Sequence, residues 1–257
     1  MVDRLSPWYL HQKLTLGGCG TTAVPFLTTS VTTTAMKKFD HELAGLRQRV
    51  VEMGNLAEKM VAAAIDAVTS ANRDELIKSV EQAEEELDDM QVSLDKEAIR
   101  LLTVYSPVAA DLRFVMSVSR INNELERIGD HAMNMCEAIQ LMESKSDNPP
   151  LAQIEKMAVV VKEMMADALN AFLQDDIAKA RETIASDDMV DALNDQIVEE
   201  LLHPEIVRQA ADGRAEIADA LSQILIGRSL ERIADQSTNI SEEVIYMVRG
   251  QDVRHED

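Results

Sequence analysis

Aromatic residues, glycine, proline and cysteine are all scarce in this chain of 257 residues, and each shortage excludes a class of protein. Nine glycines and six prolines are too few for an all-β chain, which needs a turn about every 8–12 residues. Two cysteines, Cys19 and Cys136, do not make a disulfide framework. No apolar run approaches the roughly 18–20 residues that a membrane span requires. These shortages indicate a soluble protein of a reducing compartment.

Basic residues are also outnumbered, because 25 Lys and Arg stand against 46 Asp and Glu, a formal net charge of −21. Such a chain is repelled by phosphate backbones and anionic lipid, so we expect neither nucleic-acid binding nor membrane insertion. Metal ions and basic protein surfaces are the natural partners of this charge. Apolar residues make up 46% of the chain, which is enough to bury a core, and the composition as a whole indicates an all-helical protein.

Residues 1–35 differ from the rest of the chain. They contain the only tryptophan, Trp8, and a run of threonine, serine and valine at residues 28–34. Neither helical periodicity nor the layout of a signal peptide is present. We therefore interpret residues 1–35 as a disordered leader, derived from cloning or from a misplaced start codon, with the protein proper beginning at Met36.

The remaining residues show helical periodicity throughout, with apolar side chains at three- and four-residue steps. This pattern predicts helices at about residues 40–70, 74–105, 109–142, 151–173, 177–202 and 214–249. Residues 144–150, Ser-Lys-Ser-Asp-Asn-Pro-Pro, form the clearest linker in the chain, and residues 251–257 form a short tail.

Three helices, a linker and three further helices suggest an internal duplication. Residues 125–137 and 230–242 are identical at seven of 13 positions, with a constant offset of 105. The sequence therefore predicts an all-α fold of two tandem, pseudo-symmetric three-helix bundles, at residues 36–143 and 151–250.

Pairs of acids four residues apart recur in the duplicated helices, and this spacing puts both carboxylates of a pair on one helix face. The pairs are Glu126 with Asp130 and Glu231 with Asp235 in the third helices, and Glu84 with Asp88 and Asp187 with Asp191 in the second helices. Like charges at this spacing destabilise a helix, and a hard cation shared between two helices would offset the repulsion. The alternative is that these acids lie on a solvated face and pair with nearby arginines.

Other chemistry-bearing residues give weaker signals. His131 follows Asp130 but is replaced by glutamine in the second copy, so we interpret it as a surface residue. His203 completes a lone Glu-x-x-His, whereas a ferritin-like di-iron centre needs two such motifs. Cys136 is matched by a serine in the second copy and is interpreted as a packing residue. We find no catalytic motif.

Three segments together resemble the PhoU family of phosphate-transport regulators. They are Pro-Val-Ala-Ala-Asp-Leu-Arg at 107–113, Leu-Glu-Arg-Ile-Gly-Asp at 125–130 and Leu-Glu-Arg-Ile-Ala-Asp at 230–235. The resemblance extends over residues 36–257. It implies two three-helix bundles, usually a homodimer, in the cytoplasm. It further implies an adaptor that links the transporter ATPase PstB to the sensor histidine kinase PhoR and keeps the phosphate-starvation response off when phosphate is plentiful.

The resemblance also implies metal binding, because the family's Glu/Asp-x-x-x-Asp motifs can hold multinuclear clusters, with iron in some members. They map onto Glu84, Asp88, Glu126 and Asp130 in the first half, and onto Asp187, Asp191, Glu231 and Asp235 in the second half. The expected cofactor is therefore a divalent or trivalent metal, iron clusters included.

The segment at 107–113 has no true copy in the second half, so the first half is the better candidate for a docking surface. The candidate partner-binding residues are Asp111, Arg113, Arg120 and Arg127. The three arginines are spaced seven residues apart and either form a basic stripe that faces a partner or pair with acids of this chain.

Two further functions remain compatible with the residues. One is a metalloenzyme with oxygen ligands, such as a phosphohydrolase or a di-iron oxidase, since clustered metals can activate water or oxygen. The other is a helical protein that buffers metal ions.

Overall fold

The computed structural model describes residues 28–142, 151–203 and 214–253, and in these ranges the regular secondary structure is entirely α-helical. The helices are α1 (Thr28–Thr69), α2 (Arg73–Tyr105), α3 (Ala109–Leu141), α4 (Ala152–Gln174), α5 (Ile177–Ala185), α6 (Asp187–Leu201) and α7 (Arg214–Arg249). The predicted all-α fold is confirmed. Among these helices none combines the length and the apolar composition that a membrane crossing requires.

The first helix begins earlier than predicted, at Thr28, so residues 28–35 are helical and our interpretation of them as disordered was wrong. No glycine or proline occurs between Pro25 and Gly45 to end the helix. Threonine costs only about 0.5–0.7 kcal/mol per residue relative to alanine, so the helix continues backward through the run. Residues 1–27, the predicted linker and residues 254–257 of the tail lie outside the described residues.

The predicted helix at 177–202 is interrupted at Ser186, which separates α5 from α6. The Ser186 hydroxyl donates to the Glu182 carbonyl at 3.1 Å, and the backbone N–H of Ser186 bonds to Thr183 O at 3.0 Å, a tightened turn. Serine competes for helical hydrogen bonds in this way, and hydrophobic periodicity does not record such a break. Asp187 therefore lies in the first turn of a new helix.

The central feature of the fold is the antiparallel contact between α3 and α7, the most extensive in the described chain. α1 and α2 pack on α3, whereas α4, α5 and α6 pack on α7. Arg120 bonds to Glu243 and Glu124 to Asn239, and extension of this register puts Gly129 opposite Ala234. These two glycine and alanine positions are equivalent in the duplication, so the local twofold axis passes between them.

One continuous hydrophobic core runs through both halves. Methionines fill much of it, and Met53, Met60, Met135 and Met157 are essentially buried. Burial of each such side chain contributes about 1.5–3 kcal/mol, and an unbranched thioether adapts to irregular gaps between helices. The halves are therefore parts of one packed body.

Candidate functional site

The acids predicted in the first half lie side by side on facing helices. We call Glu84 and Asp88 of α2 with Glu126 and Asp130 of α3 the first carboxylate cluster. Partial burial is the main cause that raises the pKa of Glu84, and repulsion from Asp88 and Asp130 adds to it. Burial likewise raises the pKa of Glu126, followed by repulsion from Asp130 and Asp88. The two aspartates thus disfavour ionisation of the two glutamates.

A glycine permits the close approach of the two helices that carry this cluster. Gly129 of α3 lies directly against Leu87 of α2, and a Cβ at position 129 would collide with the Leu87 side chain. Leu87 is buried beside the acids of α2, and Gly129 precedes Asp130. The Gly129–Leu87 contact therefore sets the separation of the two acid pairs.

The second carboxylate cluster has the same construction in the other half. It consists of Asp187 and Asp191 on α6 and Glu231 and Asp235 on α7. Partial burial, followed by repulsion from Asp235 and Asp191, raises the pKa of Asp187 to about 6. The pKa of Glu231 is also raised, again mainly by burial.

The two clusters differ in how their charge is offset. In the second cluster Arg232 Nη1 bonds to Asp235 Oδ2 at 2.9 Å, and Asn194 Nδ2 donates to Glu231 Oε2 at 2.7 Å. The repeat equivalent of Arg232 is Arg127, which pairs with Glu124, outside the first cluster, at 3.7 Å. The second cluster therefore holds a hydrogen-bonded arginine and an amide donor. Arg127 is paired with Glu124 and acts on the first cluster only as the smallest influence on the pKa of Glu126, which it lowers.

The donor chemistry of both clusters suits a hard cation, because carboxylate oxygens are the preferred ligands of Mg, Ca, Mn and ferric ions. Their mutual repulsion is what a bound cation would remove. Within the described ranges, however, no three carboxylate, imidazole or thiol groups converge closely enough to hold one ion. The residue types fit a metal, and binding would require the side chains to turn toward a shared point.

His131 and Cys136 lie near the clusters in different environments. His131 is half-buried, and burial lowers its pKa, while Asp130 and Asp235 oppose that effect and Arg232 adds to it. It thus stands between the two clusters, close to acids of both. Cys136 is a buried free thiol, as predicted for a packing residue.

The predicted partner-binding residues do not form one stripe. Arg120 Nη1 bonds to Glu243 at 3.0 and 3.2 Å, and Arg127 pairs with Glu124. Arg113 lies against Gly250 at the start of the C-terminal tail, and its Nε is buried without a hydrogen-bond partner in the described structure. Of our two alternatives for the arginines, pairing with acids therefore applies to Arg120 and Arg127. Partner binding at Asp111 and Arg113 stays a prediction.

Sequence reasoning missed Glu243, which is 5% exposed in the α3–α7 contact. Its carboxylate accepts hydrogen bonds from Arg120 and from the Ser117 hydroxyl at 3.2 Å, and Arg120 also lies over the Tyr246 ring. The pair joins residues 123 positions apart, so no local pattern could have revealed it.

Arg47 was missed for the same reason. It hydrogen-bonds to the Phe172 carbonyl and to Asp175 Oδ1, the latter at 2.8 Å. Its guanidinium lies 4.9 Å from the centroid of the Phe114 ring and 5.1 Å from that of Phe172. Arg47 thereby ties α1 to the turn between α4 and α5.

The sequence of this chain is similar to those of known proteins. The family model for the PhoU domain matches residues 50–139 and again residues 154–244. The phosphate-specific transport system accessory protein PhoU homolog of Pseudomonas putida is 36% identical over 227 residues, which cover 88% of this chain and 86% of that protein. The phosphate-specific transport system accessory protein PhoU of Escherichia coli strain K12 is 34% identical over 218 residues, 85% of this chain and 88% of that protein.

Solved structures match it as well. The crystal structure of PhoU from Pseudomonas aeruginosa aligns with a TM-score of 0.76 at 33% identity, over 83% of this chain and 100% of that one. The phosphate transport system regulatory protein PhoU from Streptococcus pneumoniae aligns with a TM-score of 0.74 at 27% identity, over 84% and 99% of the two chains. With both domain copies matched and the duplicated fold in place, the chain belongs to the PhoU family.

Proposed function

We propose that this protein is a non-enzymatic cytoplasmic accessory of phosphate transport, which represses the phosphate-starvation response when phosphate is plentiful. One observation carries the proposal: both PhoU domains are present, and relatives that align over 85% or more of the chain are named phosphate-specific transport system accessory proteins. Two helical units that present broad acidic surfaces suit an adaptor, since complementary charge steers the encounter with a partner.

The proposed partners are the transporter ATPase PstB and the sensor histidine kinase PhoR, bound by a homodimer of this chain. Phosphate status acts by changing which complex is populated. Such a shift requires that the adaptor bind one state of its partner more tightly than the other, because equal affinity moves no equilibrium. Repression then follows from a kinase held in its inactive state.

The proposal includes metal binding at the two carboxylate clusters, by a divalent or trivalent cation such as iron. The chemistry that a cation supplies there is charge neutralisation across the α2–α3 and α6–α7 contacts. Raised pKa values of Glu84, Glu126 and Asp187 support it, since these acids are partly buried and lie near other acids, so a nearby positive charge would favour their ionised form.

The test is a binding measurement between the full chain and purified PstB or the cytoplasmic part of PhoR, by biolayer interferometry. We expect saturable binding to at least one of them. The double variant Glu126→Gln/Asp130→Asn should weaken it at least fivefold. The matched control is Glu85→Gln/Asp89→Asn, which removes the same charge from exposed acids of α2 outside the cluster.

Two results would contradict the proposal. Binding to neither protein would remove the adaptor role. Turnover of p-nitrophenyl phosphate by metal-loaded protein, lost in Glu126→Gln, would instead establish an enzyme.

A further inference from the structure

A cleft of about 430 Å³ opens where both halves of the molecule meet, at the end of the bundle that carries the start of α3. α1, α3, the turn after α4 and the end of α7 all contribute to it. Its apolar walls are Leu43, Phe114, Met247 and Val248, and Val248 is 37% exposed at the surface. A site built by four elements is the kind of concavity that receives a side chain from another molecule.

The positive charge inside the cleft is already matched within the protein. Arg47 donates to the Phe172 carbonyl and to Asp175, and its guanidinium stacks on Phe114 and Phe172. Since Asp175 is the carboxylate partner of this guanidinium, the two charges cancel. An incoming anion would therefore have to displace Asp175.

Asp111 is the other charged residue that lines the cleft. It is half-buried and lies in the first turn of α3. Among the residues that the structure describes, its carboxylate has neither a hydrogen-bond nor an ion-pair partner. The cleft thus combines apolar walls with one uncompensated carboxylate.

We propose that this cleft receives a basic side chain from a protein partner, with the cationic head on Asp111 and the aliphatic stem against Leu43, Phe114 and Met247. Lys and Arg side chains have this divided character. A neutral apolar occupant would bury Asp111 without a partner, which is unfavourable, and Asp111 itself repels an anion. The net charge of −21 draws basic segments toward the molecule. The inference rests on the proposed adaptor function and specifies one contact of it.

The experiment uses the full chain with ¹³C-methyl methionine and three probe peptides, acetyl-Leu-Arg-Leu-amide and its citrulline and glutamate analogues. Citrulline is the neutral isostere of arginine. We expect the arginine peptide to shift the methyl resonance of Met247 and to leave that of the core residue Met53 in place. Its Kd should be at least fivefold lower than that of the citrulline peptide.

Variants assign this binding to Asp111. Asp111→Asn should weaken binding of the arginine peptide at least fivefold. The control Asp89→Asn, which replaces an exposed acid of α2, should change the affinity less than twofold. Val248→Glu adds a carboxylate at the mouth of the cleft and should tighten binding at least twofold, a gain that misfolding cannot produce.

Several results would overturn the inference. Equal affinity for the arginine and citrulline peptides would show that the cleft binds only apolar groups. Tighter binding of the glutamate peptide would show that the cleft binds anions. An equal loss of arginine-peptide affinity in Asp89→Asn would show that the net charge of the protein, and not the cleft, causes the binding. If Asp111→Asn keeps full affinity for PstB and PhoR, the cleft does not dock them and the adaptor function stands. If the arginine peptide binds but neither partner does, the adaptor function fails and the cleft stands.

Discussion

The two carboxylate clusters occupy equivalent positions of a duplicated fold, yet they differ in what balances their charge. In the second cluster Arg232 pairs with Asp235, and Asn194 donates to Glu231. In the first cluster the equivalent arginine, Arg127, turns to Glu124 instead. The two copies of the motif therefore keep their acids at the same positions but differ in the side chains that are hydrogen-bonded to those acids. Among the described residues, no arginine is hydrogen-bonded to the acids of the first cluster.

The α3–α7 contact shows a second asymmetry, between its two ends. One end holds the buried Glu243 with Arg120, and the twofold-related positions are Leu225 and Ala138. The polar pair therefore occurs once, although the helices that carry it are copies of each other. It fixes the register of the two halves at one end, while the twofold-related positions hold a partly exposed Leu225 and a buried Ala138.

The largest predicted effect comes from breaking the polar end. Arg120→Leu should lower the free energy of unfolding by about 2–3 kcal/mol, because it leaves a buried carboxylate without its guanidinium. The upper part of that range is reduced by solvent, since the Arg120 side chain is 39% exposed. Urea unfolding at neutral pH measures the change.

The control variant replaces both residues of the polar pair with the apolar residues of the twofold-related positions. Arg120→Leu/Glu243→Ala installs the residues found at the twofold-related positions, and we expect it to recover at least half of the loss. Similar instability in the single and double variants would show that the ion pair is not what stabilises this end.

The next effect concerns cation affinity and separates the two clusters. After removal of metal with a chelator, Mn²⁺ should raise the Tm of the wild-type protein. Glu126→Gln/Asp130→Asn should weaken Mn²⁺ binding at least tenfold, about 1.4 kcal/mol, and Glu231→Gln/Asp235→Asn less than threefold. The reason is that Arg232 and Asn194 already engage the second cluster. Isothermal titration calorimetry supplies the affinities.

A further variant sharpens the metal prediction. Arg232→Gln should raise the affinity of the second cluster, because it frees Asp235. Equal losses for the two double variants, or no gain in Arg232→Gln, would contradict the assigned role of internal compensation.

A smaller effect is expected from pH in the metal-free protein. Burial raises the pKa of Asp187 from 3.8 to about 6, so the folded state binds this proton more tightly than the unfolded state. The stability that Asp187 contributes is present below about pH 4 and is lost as pH rises to about 6. Asp187→Asn should therefore stabilise the protein at pH 7.5 by about 1–2 kcal/mol, a range that allows for partial solvent exposure.

The measurement for this prediction is urea unfolding of Asp187→Asn in the presence of a chelator. The variant should gain little at pH 4, and the exposed neighbour provides the control variant Asp188→Asn, which should gain little at either pH. An equal gain for Asp187→Asn at both pH values would show that the raised pKa of Asp187 is not the cause.

The smallest effect concerns the one cysteine of the duplicated motif. Burial raises the pKa of the Cys136 thiol to about 11, and its repeat equivalent Ser241 is buried as well. In a Cys19→Ser background, a disulfide reagent at pH 8 should modify the native protein about 100-fold more slowly than the unfolded chain, since the thiolate is the reactive form. Comparable rates would contradict the buried, inert position.

Much of this architecture follows from local patterns. Three- and four-residue apolar spacing predicted the helices, and an offset of 105 between two motif copies predicted the duplicated fold. The i,i+4 spacing placed Glu126 with Asp130 and Glu231 with Asp235 on single helix faces. These features were predictable because a helix converts short sequence intervals directly into positions on its surface.

Other features escaped the sequence because their cause is not periodic. The break at Ser186 depends on one side-chain hydrogen bond, and the start of α1 at Thr28 depends on the absence of a stop signal rather than on an apolar pattern. Both misses concern the ends of helices, where a few backbone bonds decide the outcome.

The sequence by itself thus determined the helices, the duplication and the acids on each helix face. The tertiary structure alone decided that Arg120 meets Glu243, that Arg232 joins its cluster while Arg127 does not, and that Asp111 lines a cleft between the halves. The physical reason is that these contacts join residues far apart in the chain. Their pairing depends on the register in which whole helices pack, and the spacing within one helix contains no record of that register.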